Sequence, residues 1–282
     1  MVTPAQRRTA VTHLRATYPV SLRRACQLLH LARSRWYHQS VRPSDAPLAT
    51  ALLTKAAKRP RWGYRRLQVL LQRDGWRVNH KRVQRVYRAA GLQVKRRRRK
   101  QVAVVRHPRP VAAAPNAVWA MDFIGDACAT GRRFRVFSLV DTCTRECLAL
   151  EVDTSLPSAR VVQVLEALRA VRGVPTAITV DNGPEFIAKA LDAWAYEHQV
   201  QLAFIRPGKP VENAYVESFH DKFRAECLDL HWFASVADAR DIITAWQEDY
   251  NTVRPHSALG QLTPAEFAST FTPSTPPLAY TS

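Results

Sequence analysis

The chain has 282 residues, of which 46% are hydrophobic and five are cysteines, and its excess of lysine and arginine gives a formal net charge of +19. Its apolar runs are shorter than the roughly 18–20 residues that a membrane-spanning helix needs, its first residues lack a secretory pattern, and its cysteines form no CxxC pair. Composition therefore excludes a membrane-embedded protein and a disulfide-rich secreted one, and it favours a globular cytoplasmic protein with reduced thiols.

The positive charge is confined to the first part of the chain. Residues 1–115 contain 28 lysines and arginines against two acids, Asp45 and Asp74, whereas residues 116–282 contain 14 against 21 acids. This asymmetry indicates a polyanionic partner for the basic front, either a nucleic acid or a membrane surface. Nucleic-acid binding would be driven by the release of counterions from phosphates. A basic surface that is merely solvated is the alternative.

Short helices are predicted along this basic front. The second and third are joined by a brief turn, as in a helix-turn-helix, and Ser21 is a suitable N-cap for the second. Residues 40–48 are interpreted as a linker to a further helical pair, whose members end at Gly75 and Gly91. In chain order, the predicted helices cover residues 4–18, 21–29, 32–39, 61–75 and 79–91.

The last of these helices is a candidate for reading a DNA groove. Four apolar residues form one stripe, and the remaining faces are basic; the basic residues are Lys81, Arg82, Arg85 and Arg88. The alternative is a packing helix with solvated charges. Six consecutive basic residues follow, and without a polyanion nearby they would repel one another, so we interpret them as a phosphate-tracking linker. They are Lys95, Arg96, Arg97, Arg98, Arg99 and Lys100.

The back of the chain changes from helices to strands mixed with helices. Strands are predicted from β-branched and aromatic runs, and helices from amphipathic stretches that end at glycines. The strands cover residues 118–125, 133–141, 146–153, 176–181 and 200–205, and the helices cover residues 158–173, about 185–198, 212–228 and 236–251. This alternation predicts an α/β sheet covered on its faces by helices.

Three acids of this part are candidates for metal binding. Asp122 lies inside the first strand, Asp181 ends the fourth, and Glu217 is expected about a turn and a half into the helix that starts near residue 212. Converging carboxylates repel one another unless cations lie between them, and Mg²⁺ or Mn²⁺ prefers such oxygen ligands. Two such ions can activate a nucleophile and stabilise the leaving oxygen of a phosphodiester. Other acids nearby leave other trios open: Asp126, Asp141, Asp153, Glu185, Glu212, Asp221 and Glu226.

Four ordered motifs carry a resemblance to a known family: WAMDF, VDNGPEF, RPGKPVENAYVESFHDKFRAECL and YNTVRPHSALGQLTPAEF. Together they resemble a bacterial insertion-sequence transposase, specifically the second reading-frame product of the insertion-sequence-three family, with a retroviral-integrase-like core. The resemblance implies an α/β fold with a ribonuclease H-like mixed sheet flanked by helices, preceded by all-α helix-turn-helix-type segments. We expect an N-terminal helical segment (1–45), a second helical DNA-binding segment (46–93), a basic linker (94–116), the catalytic core (117–270) and a tail (271–282).

The resemblance also implies roles for single residues. Asp122, Asp181 and Glu217 match the Asp-Asp-Glu catalytic and metal-binding triad, and Arg224 matches a basic residue that could hold a DNA phosphate. His220 and Asp221 lie on the Glu217 face of the helix, and we expect them to be structural or to face solvent; a position beside the triad that supports its acids is the alternative. For Asp141 we expect support of the sheet, and for the Arg254-Pro255-His256 motif we expect an anchor of the last helix to the core rather than a DNA contact.

The implied activity is Mg²⁺- or Mn²⁺-dependent cleavage at insertion-sequence ends followed by 3′-hydroxyl strand transfer, with two ions expected when DNA is bound. The implied partners are double-stranded DNA, further copies of the chain on that DNA, and an upstream reading-frame product or fusion, with no membrane partner. The expected location is the bacterial cytoplasm, in association with the nucleoid. Two alternatives remain: a metal-dependent nuclease of the same fold, and a non-catalytic DNA-binding regulator.

Overall fold

A computed structural model describes residues 3–38, 44–94, 112–181, 183, 185–205 and 213–271. The predicted phosphate-tracking run at residues 95–100 lies outside the described residues, as does residue 212. The chain divides into two compact units, Met1–Pro47 and Leu48–Ser282. Within the described ranges, no helix is both long and apolar enough to cross a membrane.

The first unit consists of three short helices: α1 (Pro4–Thr17), α2 (Leu22–Leu28) and α3 (Arg33–Tyr37). They follow the prediction to within two residues at each end. Thr3 and Gln6 form a capping box at the start of α1, and the Ser21 hydroxyl accepts a hydrogen bond from the Arg24 amide at the start of α2. Their small core is formed by Val11, Ala25, Cys26 and Leu31.

The second unit begins with a helix that the sequence analysis missed, α4 (Ala46–Lys58). Its first residues lie within the predicted linker 40–48, so that linker is wrong at its C-terminal end. Leu48, Leu52 and Ala56 are buried, and they recur every fourth residue, which places them on one face of the helix. Only these three positions are buried in a run rich in alanine, so the amphipathic pattern that would reveal the helix is weak.

Helices α5 (Tyr64–Arg73) and α6 (His80–Ala89) follow as predicted. The Asn79 side chain accepts a hydrogen bond from the Lys81 amide and caps α6. Gly75 and Gly91 follow the two helices in the left-handed conformation that ends many helices, with φ of 86° and 69°. The buried residues of α4, α5 and α6 form one apolar cluster: Leu48, Leu52, Ala56, Trp62, Leu67, Leu71, Val83, Val86 and Tyr87.

A five-stranded mixed sheet in the order β3-β2-β1-β4-β5 forms the centre of the second unit. The first three strands are antiparallel, and β4 and β5 run parallel to β1. The strands are β1 (Val118–Ala127), β2 (Arg133–Asp141), β3 (Cys147–Asp153), β4 (Ala177–Val180) and β5 (Gln201–Phe204). Strand β1 is therefore central, with an antiparallel neighbour on one side and a parallel neighbour on the other.

Helices cover both faces of this sheet, as the α/β prediction required. One apolar cluster joins Trp119 and Met121 of β1 to α7 and α8, and another joins β2 and β3 to α9 and α10. These helices are α7 (Ser158–Arg172), α8 (Lys189–Glu197), α9 (Ala214–Glu226) and α10 (Val236–Thr252), followed by α11 (Pro264–Ser269). Side chains alternate along a strand, so Asp122 lies on the face opposite Trp119 and Met121, beneath α9.

Two predictions in this region need correction. Glu217 lies in the first turn of α9, which begins at Ala214, and not a turn and a half into a helix. Helix α10 is not the last helix, because α11 follows it. A capping box of Thr263 and Glu266 begins α11 and Pro264 is its first residue, so the sequence did contain a helix-start signal.

Asp141 supports the sheet, as predicted. Its side chain is fully buried. One carboxylate oxygen accepts hydrogen bonds from the amides of Cys143 and Thr144 (2.7 and 3.0 Å), and the other accepts one from the Asn116 amide (2.8 Å). It thereby fixes the turn after β2 and the segment that enters β1.

Replacing Asp141 by alanine should destabilise the second unit, because three amides lose their acceptor. We expect Asp141→Ala to lower the free energy of unfolding by about 2–4 kcal/mol, measured by urea denaturation. Asp153→Ala is a matched control at the end of β3, where the half-exposed side chain accepts from Thr154 and lies 3.9 Å from Arg240. It should cost less than about 1 kcal/mol. Equal losses for the two variants would contradict the role given to Asp141.

Candidate active site

The register of the sheet brings Asp122 and Asp181 side by side. Ala120 of β1 pairs with Thr179 of the parallel strand β4, and each carboxylate residue comes two positions later in its own strand direction. Neighbouring strands are about 4.8 Å apart. Strand β4 ends at Val180 whereas β1 continues to Ala127. Asp181 therefore lies at the carboxyl end of the parallel pair, where the sheet edge opens.

Helix α9 places the third acid above this edge. Phe219 and Phe223 anchor α9 in the core beneath it, and the Asn213 side chain donates a hydrogen bond to the carbonyl of Met121, the residue before Asp122 (3.5 Å). Glu217 is exposed in the first turn of α9, where the helix dipole stabilises a negative charge.

The pKa of Asp122 shows that these acids lie close enough to interact. Burial, with further contributions from the carboxylates of Asp181 and Glu217, raises this pKa from 3.8 to about 6, although a hydrogen bond from the Phe123 amide and the charge of Arg135 act in the opposite direction. The two other acids disfavour the ionised form of this half-buried carboxylate, so the binding of a cation beside it is favoured.

His220 is a neighbour of Asp122, the supporting position that the sequence analysis set second to a structural or solvent-facing role. Its Nε2 atom is 2.6 Å from the Ser138 hydroxyl, and its Nδ1 atom is 3.6 Å from Asp122 Oδ2. Ser138 lies opposite Asp122 in the β1–β2 register and donates to the Asp122 carbonyl (3.0 Å). Burial, with a further contribution from the Arg224 charge, lowers the pKa of His220 to about 4. Because its side chain is only 13% exposed, the solvent-facing alternative is wrong.

The turn after Asp181 is built around a glycine. The Gly183 amide donates to Asp181 Oδ1 (3.0 Å), and a Cβ atom at position 183 would lie 3.0 Å from that oxygen and 3.3 Å from Glu185 Oε2. A side chain at position 183 would therefore require both carboxylates to shift by a few tenths of an ångström. Glu185 pairs with Arg135, whose guanidinium lies 4.4 Å from the centre of the Phe123 ring.

The predicted DNA-contacting residues that the structure describes lie at two places. Arg224 is exposed on the Glu217 face of α9, two turns further along, and donates to the Gly125 carbonyl (3.3 Å). On α6, Lys81, Arg85 and Arg88 are exposed and Arg82 is half-buried. Spacings of four and seven residues place the three exposed residues on one helix face.

The donor set at the sheet edge is chemically suited to a hard divalent cation, because its candidate ligands are carboxylate oxygens. Among the residues that the structure describes, however, no three His, Cys, Asp or Glu side chains are close enough together to hold a metal ion as they stand. Asp122, Asp181 and Glu217 are thus brought within electrostatic range but not into a coordination sphere.

Comparison with known proteins agrees with this architecture. The integrase core domain family matches residues 112–210 and 198–264, which together span β1 to the start of α11, and an HTH-like domain family matches residues 54–100. The 31.7 kDa protein of insertion element IS407 from Burkholderia multivorans is 46% identical over 259 residues, covering 91% of this chain and 93% of that protein. The chain belongs to the integrase-core transposase family of insertion sequences.

Other members and structures extend this picture of the transposase family. Transposase InsF of insertion sequence IS3A from Escherichia coli K12 is 26% identical, over 88% of this chain and 93% of InsF. Among solved structures, a chain of the simian T-cell lymphotropic virus intasome in complex with PP2A regulatory subunit B56 gamma matches with a TM-score of 0.50 and 16% identity. That match covers 85% of this chain and 78% of the viral one. It shows a shared ribonuclease H-like integrase fold.

Removing the charge of Asp122 should stabilise the protein. Because the pKa of Asp122 is raised in the folded protein, the protonated side chain stabilises the fold. This contribution is fully present below pH 3.8 and is lost as the pH rises through about 6. Asp122→Asn avoids this loss. In metal-free buffer we expect equal unfolding free energies for variant and wild type in acid, and a variant more stable by about 1–3 kcal/mol at neutral pH.

The matched control is Asp126→Asn. Asp126 lies on the same face of β1, and its side chain accepts from the next amide, as that of Asp122 does. This control should follow the wild-type stability at every pH in urea denaturation. An Asp122→Asn variant that is less stable than wild type at neutral pH would contradict the raised pKa of Asp122, because the ionised carboxylate would then not destabilise the folded protein.

Proposed function

We propose that this protein cleaves DNA at the ends of an insertion sequence and joins the freed 3′-hydroxyl to target DNA in a reaction that depends on Mg²⁺ or Mn²⁺. The observation that supports this most strongly is the convergence of Asp122, Asp181 and Glu217 from β1, the end of β4 and the first turn of α9, with the pKa of Asp122 raised. Family membership supports the same reaction class.

We assign Asp122, Asp181 and Glu217 as the residues that would hold the divalent cations, two of them when DNA is bound. Bound Mg²⁺ would activate the attacking oxygen and stabilise the leaving oxygen. The Gly183 amide and the Phe123 amide orient two of the carboxylates. Asp181 and Glu217 must move toward Asp122 to share a cation, and the cation supplies the attraction that offsets their repulsion.

The reaction consists of two in-line displacements at phosphorus. In the first, a water oxygen forms a bond to phosphorus, and the bond to the 3′-oxygen breaks, so that this oxygen takes a proton and becomes a free hydroxyl. In the second, that hydroxyl attacks a phosphodiester of the target and releases the target's own 3′-oxygen. No covalent protein–DNA intermediate is needed. Arg224 would hold a phosphate beside the reacting one.

DNA would be held mainly through phosphates by the exposed face of α6, with residues 95–100 as an additional basic segment. Both ends of an element must be processed, so we infer that several copies act together on DNA, with the upstream reading-frame product or a fusion to it as a further partner. Action on chromosomal DNA would take place in the bacterial cytoplasm, at the nucleoid.

Asp181→Asn should abolish cleavage but leave DNA binding nearly unchanged, because it removes a cation ligand and no basic group. The measurement uses labelled duplexes with the element's terminal repeat, in Mg²⁺, with binding followed by gel shift. Asp192→Asn, an exposed acid of α8, is the matched control and should cut like wild type. Substantial residual cutting by Asp181→Asn would mean that the ligand is misassigned. Adding a pre-cut end with a free 3′-hydroxyl separates transposase from nuclease, since only a transposase yields joined product.

Neutralising the exposed face of α6 should weaken DNA binding and flatten its salt dependence. For Lys81→Gln and Arg88→Gln, each lost phosphate contact should reduce the slope of log K against log salt by about one. Arg240→Gln on α10 removes the same charge from the opposite end of the chain and should leave the slope unchanged. A wild-type slope in both α6 variants would exclude this face as the DNA contact.

A further inference from the structure

Part of the positive charge of the basic front is bound to the catalytic core. Three arginines from the end of α4 and from α5 pair with core acids: Arg59 with Asp249 of α10, Arg66 with Glu226 of α9 at 2.9 Å, and Arg73 with Glu266 of α11 at 2.6 Å. These pairs run along one side of the α4–α6 segment, so they define the surface through which that segment contacts the core.

The central contact is a buried cluster around Glu226, here called the Glu226 cluster (Glu226, Arg254, Arg66 and Trp62). Arg254 donates to both carboxylate oxygens of Glu226, at 2.7 Å each. Arg66 donates to Oε1 (2.9 Å) and the Trp62 indole donates to Oε2 (3.1 Å). The side chains of Glu226 and Arg254 are only 10% and 1% exposed. Every lone-pair direction of the carboxylate is used, so its position is strongly constrained.

Two of these four donated bonds come from the α4–α6 segment and two from the core. Burial alone would raise the pKa of Glu226, but the hydrogen bonds and charges of Arg254 and Arg66 outweigh this effect and lower it. Glu226 is therefore an anion that would be unstable in this place without donors from both sides. Removing one partner of such a buried ion pair leaves an uncompensated charge, which is strongly unfavourable, so the pair disfavours any arrangement in which the segment and the core separate.

Apolar packing does not fix the position of the α4–α6 segment on the core as these polar contacts do. The apolar cluster of α4–α6 and the cluster beneath α9 and α10 are separate. A cleft of about 600 Å³ lies between them, lined by Trp62, His231 and Trp246 among others. Since shape complementarity is incomplete there, the polar contacts decide how the segment is oriented against the core.

The Glu226 cluster is attached to the same helix as the third active-site acid. Glu226 is the last residue of α9, and Glu217 lies in its first turn. Nine residues of helix correspond to about 14 Å along the axis. Phe219 and Phe223 pack α9 against the sheet between these two points. A rigid path therefore connects α5, through Glu226 and α9, to the proposed catalytic carboxylates.

We propose that the Glu226 cluster, together with the Arg59–Asp249 pair at the same interface, fixes the distance between the DNA sequence held by α6 and the phosphodiester that is cut. Trp62, Arg66 and Glu226 are then positioning residues that determine cut-site choice, and they need not touch DNA. This inference rests on the proposed function, because it requires that α6 binds the element end and that the core cuts it.

The test maps cut positions on end-labelled duplexes that carry the terminal repeat, using the full chain in Mg²⁺. Trp62→Phe combined with Arg66→Met removes both donors of the α4–α6 segment and leaves Arg254 on Glu226. We expect cutting at the wild-type phosphate to fall about 10-fold, with the lost activity reappearing at neighbouring phosphates, because small misplacements of a reacting group have large effects. When base pairs are inserted one at a time between the repeat and the cut site, the wild-type protein should still cut at the same number of base pairs from the repeat.

A charge exchange provides a second test that conserves net charge. Arg59→Asp alone breaks the pair with Asp249 and should disperse the cuts, and the double variant Arg59→Asp, Asp249→Arg should restore the wild-type position. If circular dichroism shows that the Trp62, Arg66 variant does not fold, the charge exchange tests the proposal in its place. Lys55→Gln is the control: it removes a charge and an ion pair with Asp74 (2.5 Å) within the α4–α6 segment. It should leave the cut position unchanged.

The outcomes separate the two proposals. A wild-type protein without Mg²⁺-dependent cutting would overturn the proposed function and this inference together. If the wild-type protein cuts, and the Trp62, Arg66 variant and Arg59→Asp place the same share of cuts at the same phosphate as it does, this inference alone is overturned. Dispersed cutting in Lys55→Gln would also overturn it, because the effect would then follow charge and not the interface.

Discussion

Repulsion between like charges at the open end of β1 and β4 is the constraint on which the rest of the second unit depends. Asp122 and Asp181 leave adjacent parallel strands in register, and Glu217 approaches from α9. Burial raises the pKa of Asp122, and the charges of Asp181 and Glu217 add to this effect, so the site disfavours the ionised carboxylate. The core beneath it, from the apolar face of β1 to the phenylalanines of α9, must supply the stability that offsets this cost.

Helix α9 contacts several separate parts of the second unit. Its first turn carries Glu217, its middle packs on the sheet and holds His220 near Asp122 and Ser138, and its last residue, Glu226, binds donors from α5 and from the segment after α10. The anchoring role expected for Arg254 is confirmed, because its guanidinium is buried on Glu226. The tail motif thus fixes the end of the helix whose start belongs to the proposed active site.

The division of charge along the chain has two consequences. One set of front arginines, including Arg59, Arg66 and Arg73, pairs with core acids and attaches the α4–α6 segment. Another set, on α6, remains exposed and is suited to phosphates. The net charge of residues 1–115 therefore overstates the charge that is available to nucleic acid. Some of the acids that make the core mildly acidic are the partners of these front arginines.

Local patterns in the sequence determined the strands, most helices and the acids of the proposed site, because β-branched runs, N-caps and motif context are properties of neighbouring residues. Strand β2 has the same bounds as predicted, and α4 was missed because its alanine-rich run shows little amphipathic pattern. Only the tertiary structure decided that His220 lies against Ser138 and that Glu226 binds Trp62 and Arg66. Those partners are 82 to 164 residues apart in sequence, and such pairing depends on how the helices pack.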